Sequence, residues 1–327
     1  MEHEMLEDLT LSRSNFTLEV TQPITLSEFT GSTLRGAFGT MLRKTVCAQR
    51  YLEDCKECYL KNCCAYAAIF TPGNLPGSKF FPGNEQLPRS FTFYIKEEKT
   101  SFSAGEEINL VLTLIGKTAE YFPYFFIVLQ ELGRQGFGLR GEKGERGGFE
   151  IKKITDELAP ETKTIFDGTT KASMPPLHRE KLKNLLRPIK NISLLKVHFI
   201  TPLRVKWQGR LCSDIQFHIL LRNALRRLSA LYFLSENKPL DLDYRLLISQ
   251  AEEIETLQAD FKWEEYSRYS GRQKERMKLG GVTGWAIYKG VLSPFFTFLQ
   301  AAELMSVGKG TTFGFGRILL ETLEKGG

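Results

Sequence analysis

"FFTFLQAAELMSVGKGTTFGFG" at residues 295–316 and "FFIVLQELGRQGFG" at 125–138 share one pattern: FF, two further residues, LQ, then a glycine-rich segment closing on GFG. The copies lie 170 residues apart at FF and 178 at GFG, which gives the second glycine loop eight extra residues. Self-similarity at so long a spacing reads as a tandem duplication, and each half then has to be one folded unit.

Working outward from the second copy, "LLKVHFITPLRVKW" (194–207) alternates as a strand. "SDIQFHILLRNALRRLSALYFL" (213–234) follows as a helix with Ser213 or Asp214 as its cap. "IETLQADFKW" (254–263) and "GWAIYKG" (284–290) are short strands. "SPFFTFLQAAELM" (293–305) is a helix capped by Ser293 with Pro294 at its first position, and "TFGFGRILLETL" (312–323) is a closing strand. The first half runs in the same order: strand 14–24, a glycine-interrupted helix 27–46, strands 90–97 and 107–116, helix 119–132 and strand 148–154. Both halves are βαββαβ, so the expected fold is α+β, two tandem ferredoxin-like (RRM-like) domains. The expected boundaries are 1–156 for the first domain, 157–190 for a linker beside Pro175 and Pro176, and 191–327 for the second.

Length and composition agree with two domains: 327 residues, 42% hydrophobic and 25% charged. No apolar run is long enough for a membrane span, and the acidic start MEHEMLEDL is unlike a signal peptide, so a cytoplasmic protein with no membrane partner is expected. The formal charge of +6 permits a polyanionic partner without requiring one. The placement of the cations says more. "RYSGRQKERMK" (268–278) carries Arg268, Arg272, Lys274, Arg276 and Lys278 against Glu275, with Tyr266 and Tyr269 close by. Four of the cations fall at every second position, so an extended chain would range them along a phosphate backbone; a solvated loop is the competing reading.

The first half has an insertion, 47–88, holding five of the six cysteines in "CAQRYLEDCKECYLKNCCAY". In a reducing compartment disulfides are not expected, whereas CxxC with flanking cysteines suits tetrahedral thiolate ligation. Cys47, Cys55, Cys58 and one of Cys63 and Cys64, with Cys64 chosen here, would hold a structural zinc; free, partly buried thiols are the alternative. Nothing there suggests a catalytic metal.

Taken together, "STLRGAFGTMLRKTVC" (32–47), the cysteine cluster with "CAYAAIFTP" (64–72), "HFITPLRVK" (198–206), the run 268–290 and "VGKGTTFGFGRILL" (307–320) resemble the CRISPR repeat-processing endoribonucleases, the Cas-six family of the RAMP superfamily. The resemblance covers most of the chain in order and is strongest in the C-terminal half. It implies RNA lying across a cleft and basic face shared by the two domains, and CRISPR precursor RNA cut within each repeat to make guide RNAs. Cleavage would need no metal or other cofactor: the ribose 2′-OH attacks the adjacent phosphate in line and leaves a 2′,3′-cyclic phosphate. The alternative it allows is a catalytically silent RAMP subunit that binds guide RNA among other CRISPR effector subunits. An RNA-binding module outside CRISPR defence is more remote.

The family pattern places a histidine base in or just after the first helix, and this chain has no histidine between His3 and His178. Lys44 and Tyr51 are the substitutes in that region, with Arg35 and Arg43 as charge partners; either base would need its pKa lowered by neighbouring cations. His218 has two readings. With Asp214, Arg222 and Arg226 at steps of four it is a base beside phosphate-binding arginines, or an exposed helix residue paired with Asp214. His198 is structural, His178 lies in the linker and His3 in the tail. The glycine loop follows a helix and leads into a strand, the reverse of a nucleotide-binding loop. Gly308, Lys309, Gly310, Thr311, Gly314 and Gly316 are therefore read as a backbone contact to RNA phosphate.

Overall fold

The structure, a computed structural model, describes residues 6–52, 54–72, 87–170, 176–270 and 275–323. The chain divides into two units, Thr10–Glu180 and Lys181–Gly327 with Met1–Leu9.

In the first unit the alternation of Phe16, Leu18 and Val20, all buried, with Thr17 and Glu19 makes β1 (Thr10–Gln22) a strand with one face in the core. It is followed by α1 (Thr30–Val46), α2 (Ala65–Phe70), β2 (Phe91–Ile95), β3 (Glu107–Ile115), α3 (Phe122–Gln135), β4 (Gly148–Asp156) and β5 (Lys163–Asp167). The sheet is antiparallel in the order β2-β3-β1-β4-β5. Helices α1 and α3 supply the opposing layer, and their meeting point is aromatic. Phe38 of α1 stacks on Phe125 of α3 at 4.9 Å between ring centres and meets Phe93 of β2 edge-on at 5.1 Å. Gly39 is needed beside it, because a Cβ there would lie 2.5 Å from the Phe70 ring that anchors α2.

The main elements of the second unit are β6 (Leu194–Leu203), α4 (Phe217–Glu236), α5 (Tyr244–Ala251), β7 (Glu255–Ser270), β8 (Glu275–Lys289), α6 (Ser293–Met305) and β9 (Ile318–Thr322). Its antiparallel sheet runs β7-β8-β6-β9. Counting strands within each unit, both sheets contain the order 2-3-1-4, the arrangement of a ferredoxin-like βαββαβ fold. Leu195, Val197 and Phe199 of β6 point into a core where Phe217, Tyr288 and Phe295 meet ring to ring, Phe217 lying 5.2 Å from each of the other two.

Several elements differ from the sequence-based expectation. The strands expected at 254–263 and 284–290 are two arms of one long hairpin, 16 and 15 residues, which absorbs the described part of the basic stretch. Helix α4 begins at Phe217 with Gln216 before it, so neither Ser213 nor Asp214 caps it and Asp214 is not on its face. Ser293 is the first residue of α6 rather than its cap, and its hydroxyl oxygen accepts from Ile192 N–H at 2.9 Å. Helix α5 was not expected; its cap, Asp243, accepts from Leu246 N–H at 3.0 Å. Within the expected linker, residues 163–167 are the edge strand β5. The chain start belongs with the second unit: Leu6 and Leu9 are buried, Leu9 accepts from Leu182 N–H at 2.8 Å, and Asp8 pairs with Lys238 at 2.8 Å. The connections α3–β4 and α6–β9 are equally long, residues 136–147 and 306–317. GFG opens the first and closes the second, so the eight-residue offset is a shift of the motif along the loop and not an insertion.

Candidate nucleic-acid interface

In the first unit, the last turn of α1 carries Arg43 and Lys44. Lys44 is exposed, and its Nζ donates to Gln135 Oε1 at 2.7 Å; the Gln135 amide in turn donates to Glu131 at 3.1 Å. Lys44 thus sits at the edge of an open groove of about 260 Å³ whose walls include Arg134, Gln135, Arg146 and the glycine backbone at 133, 136 and 147. Two guanidinium groups in one groove suit a phosphate, although Arg134 also pairs with Glu131 at 3.4 Å and Glu150 lines the same groove. Arg134 and Arg146 were missed because the first GFG segment reads as a plain turn. The available signal was their place on either side of it, in "GRQGFGLRGEKGERGG" (133–148). Tyr51 is 77% exposed in the loop after α1. Arg35 is packed, its guanidinium 4.9 Å over the Phe70 ring, and Arg43 donates through Nη2 to Leu52 O, which turns it toward the cysteine insertion.

His218, in the second unit, has the expected Arg222 beside it and three further neighbours that the sequence did not reveal, Gln216, Trp207 and Glu252. Its Nε2 lies 2.9 Å from Gln216 Oε1, and its ring meets Trp207 edge-on at 5.2 Å. Arg222 lies 4.7 Å over the same indole and pairs with Glu252 at 2.6 Å. The expected Asp214 partner is replaced by Gln216. Burial, helped by Arg222 and opposed by Glu252, lowers the pKa of His218, so the imidazole is neutral near pH 7. Its Nδ1 is buried without a hydrogen-bond partner among the described residues, so the free lone pair does not face solvent. Arg226 is exposed on the next turn.

The glycine loop owes its shape to contacts within the unit. Gly308, Gly310, Gly314 and Gly316 all have φ between 72° and 84°, and a Cβ on Gly316 would lie 1.8 Å from Val307 O. Lys309 N–H donates to Arg204 O at 2.8 Å and Gly316 N–H to Pro202 O at 3.1 Å, tying the loop to the end of β6. Thr311 is buried at the start of a 3-10 turn, so its side chain is not presented to a ligand. The start of the loop is held by Arg227, which no sequence reading singled out. Fully within the core, it donates to the carbonyls of Met305 and Ser306 at 3.1–3.2 Å, and burial lowers its pKa to about 9, leaving it a cation at neutral pH. Its place in the apolar series Leu220, Ala224, Arg227, Leu231 was the available signal.

Of the basic stretch, Arg268 and Arg276 lie in the hairpin strands, opposite Met277 and Tyr269 respectively. Arg272 and Lys274 lie outside the described residues. Lys278 is exposed but paired with Glu265 at 2.7 Å, a contact that raises its pKa. Lys44 and Tyr51 belong to the first unit and His218 to the second. No described helix is long and apolar enough to cross a membrane.

Sheet order and helix placement together define a tandem ferredoxin-like α+β protein. Residues 9–178, more than half of the chain, match the family model AF_1859_N, described as an N-terminal domain, and residues 197–318 match the model described as CRISPR-associated endoribonuclease Cas6. The chain belongs to the first of these families; over residues 197–318, less than half of its length, it resembles the second. An uncharacterized protein of Archaeoglobus fulgidus is 26% identical over 298 residues, covering 89% of this chain and 91% of that one. Among solved structures, a Cas6 product complex superposes with a TM-score of 0.53 at 13% identity, over 95% of this chain and 99% of the other. Thermus thermophilus Cas6 gives 0.51 at 12%, over 96% and 99%. A partial Cas6-RT-Cas1–Cas2 complex gives 0.54 at 14%, over 97% of this chain and 47% of that one. At such identities these likenesses speak for the fold.

Proposed function

We propose that this protein is an endoribonuclease that cuts CRISPR precursor RNA within its repeats and releases guide RNA. The observation that carries the reading is the Cas6 match over 197–318, which takes in β6, the long hairpin and the glycine-rich connection held by Arg227. The nucleophile is supplied by the substrate: the 2′-OH beside the scissile phosphate attacks in line, the P–O5′ bond breaks, and the products end in a 2′,3′-cyclic phosphate and a 5′-OH. The protein therefore has to hold the ribose and phosphate in line, stabilise the added negative charge, take one proton and return one. Cations suited to the charge are Lys44 and, beside it, Arg134 and Arg146. Tyr51, in the first unit, and His218, in the second, are separate proton-transfer candidates; for His218 to act as a base Gln216 has to yield Nε2 to the RNA and the ring proton has to move from Nε2 to Nδ1. Arg222, Arg226 and the hairpin cations, with the Lys309 segment of the glycine loop, are the proposed RNA contacts.

A second reading, a silent RAMP subunit that retains guide RNA among other CRISPR proteins, is favoured by the absence of any histidine between His3 and His178. One experiment separates the two. The purified protein is given a labelled repeat RNA in EDTA, beside the same RNA carrying a single 2′-deoxy at the cut site. Site-specific cleavage of the first alone supports the enzyme; tight binding with neither cut assigns the silent role. If Lys44 stabilises the transition state, Lys44→Ala lowers single-turnover cleavage about 10²–10³-fold while RNA affinity changes little. A wild-type rate in that variant removes Lys44 from the site.

A further inference from the structure

We propose that Cys47, Cys55, Cys58 and Cys64 form a four-thiolate zinc site that ties the end of α1 to the start of α2. The four side chains line one small cavity of about 20 Å³, room for a single water-sized body. They reach it from three directions. Cys47 closes α1, its N–H donating to Arg43 O at 3.0 Å, and Cys64 precedes the first residue of α2, its carbonyl accepting from Ala68 N–H at 3.0 Å. Cys55 and Cys58 lie on the turn between, closed by Cys58 N–H to Cys55 O at 3.3 Å. The CxxC turn with a ligand on either side is what tetrahedral thiolate sites require.

Geometry also decides between the two adjacent cysteines. Cys63 is exposed, and its thiol donates to Leu60 O at 3.4 Å, away from the cavity that Cys64 lines. A second observation concerns the segment itself. Residues 48–64 contain turns but, among the described residues, neither helix nor strand, a length of irregular chain that usually needs something to order it. All five thiols are free, so no disulfide does so. As they stand, no three His, Cys, Asp or Glu side chains among the described residues are placed to hold an ion. Binding therefore draws the sulfurs inward to about 2.3 Å from the metal. Four thiols release four protons, the zinc sheds its water, and the resulting dianion faces Arg43 and Lys61, which line the same cavity. With all four positions filled, the ion activates no water; its effect is to fix the end of α1, where Lys44 lies three residues before Cys47.

The test uses the full chain, reduced and purified without added metal. Elemental analysis should find one zinc per chain in the wild type and in Cys63→Ser, and none in Cys58→Ser or Cys64→Ser. Cobalt(II) exchanged into the wild type should show sulfur-to-metal charge-transfer absorption with intense tetrahedral d–d bands, a readout that does not depend on the variants folding. Absence of stoichiometric zinc in the wild type, with no uptake when zinc is supplied to the reduced protein, would overturn the proposal, as would loss of metal from Cys63→Ser with retention in Cys64→Ser. None of these readouts involves RNA cleavage, so the metal site and the nuclease reading fail separately.

Discussion

His218 combines a depressed pKa with an edge-on contact to Trp207 and a neighbouring Arg222–Glu252 pair. Burial and Arg222 both disfavour the imidazolium, so the folded protein binds a proton there less readily than the unfolded chain, whose histidine titrates near 6.5. The contribution of this site to stability is present in full above pH 6.5 and is lost as pH falls through the lowered folded value. Following the imidazole protons by NMR should show a midpoint below 6.5; one at or above it would mean that the ring is not buried as described. The candidate at 218 was legible because histidine is rare in this chain. Its environment was not, since Trp207 lies outside the helix and Glu252 beyond its far end, and neither follows from helical spacing. Asp214 lay at helical spacing, yet the helix begins three residues later.

At the scale of elements, α6 and the glycine loop depend on a residue in α4. The guanidinium of Arg227 takes the place of the backbone partners that the last carbonyls of α6 lack, and it leads the chain into Ser306, whose φ is 63°. Arg227→Met keeps the volume of the stem and removes the donors. It should cost about 1–3 kcal/mol in chemical denaturation, because buried carbonyls are then unpaired. RNA affinity should fall even where the fold survives, because the loop loses its fixed start; unchanged stability would show that water serves those carbonyls equally well. The four main helices, α1, α3, α4 and α6, and the inner strands of both halves were readable from the sequence pattern. The hairpin was underestimated because its outer arms, Phe261–Ser270 and Glu275–Gly281, are polar at most positions and give no core-facing alternation. Helix α5 was missed because a segment of eight residues carries little periodic signal.

For the whole molecule, the duplication holds at the level that matters for folding: two sheets of the same strand order, each covered by the helices of its own half. The decorations differ, with a cysteine insertion and a fifth strand in one unit and an extra helix and a long hairpin in the other. If the first unit takes part in holding RNA, Arg134→Ala combined with Arg146→Ala should weaken repeat binding. It should also flatten the slope of log K against log salt by about 0.7 for each single-strand phosphate that is no longer neutralised. A slope identical to wild type would remove Arg134 and Arg146 from the RNA-binding surface. That groove was hard to read in the sequence because its walls come from β1, from β4 and from two ends of one loop, which the Phe137–Gly147 bridge brings together.

The hairpin has one further consequence. β8 is paired with β6 only from Lys289 back to Val282; from Gly281 to Glu275 its described strand partner is β7 alone. About seven residue pairs, roughly 23 Å at the usual rise per residue, therefore extend as a two-stranded arm beyond the four-stranded part of the sheet. The root of the arm is held by Arg204, whose Nη1 donates to Gly280 O at 2.7 Å. Beyond that root its length is free to change over evolution. Removing two residues from each strand toward the tip preserves the side-chain alternation and leaves the core residues in place, whereas the same loss from β6 would empty the interior. The reach of this arm, and with it the size of whatever it spans, is an adjustable dimension in a protein whose other dimensions are set by packing.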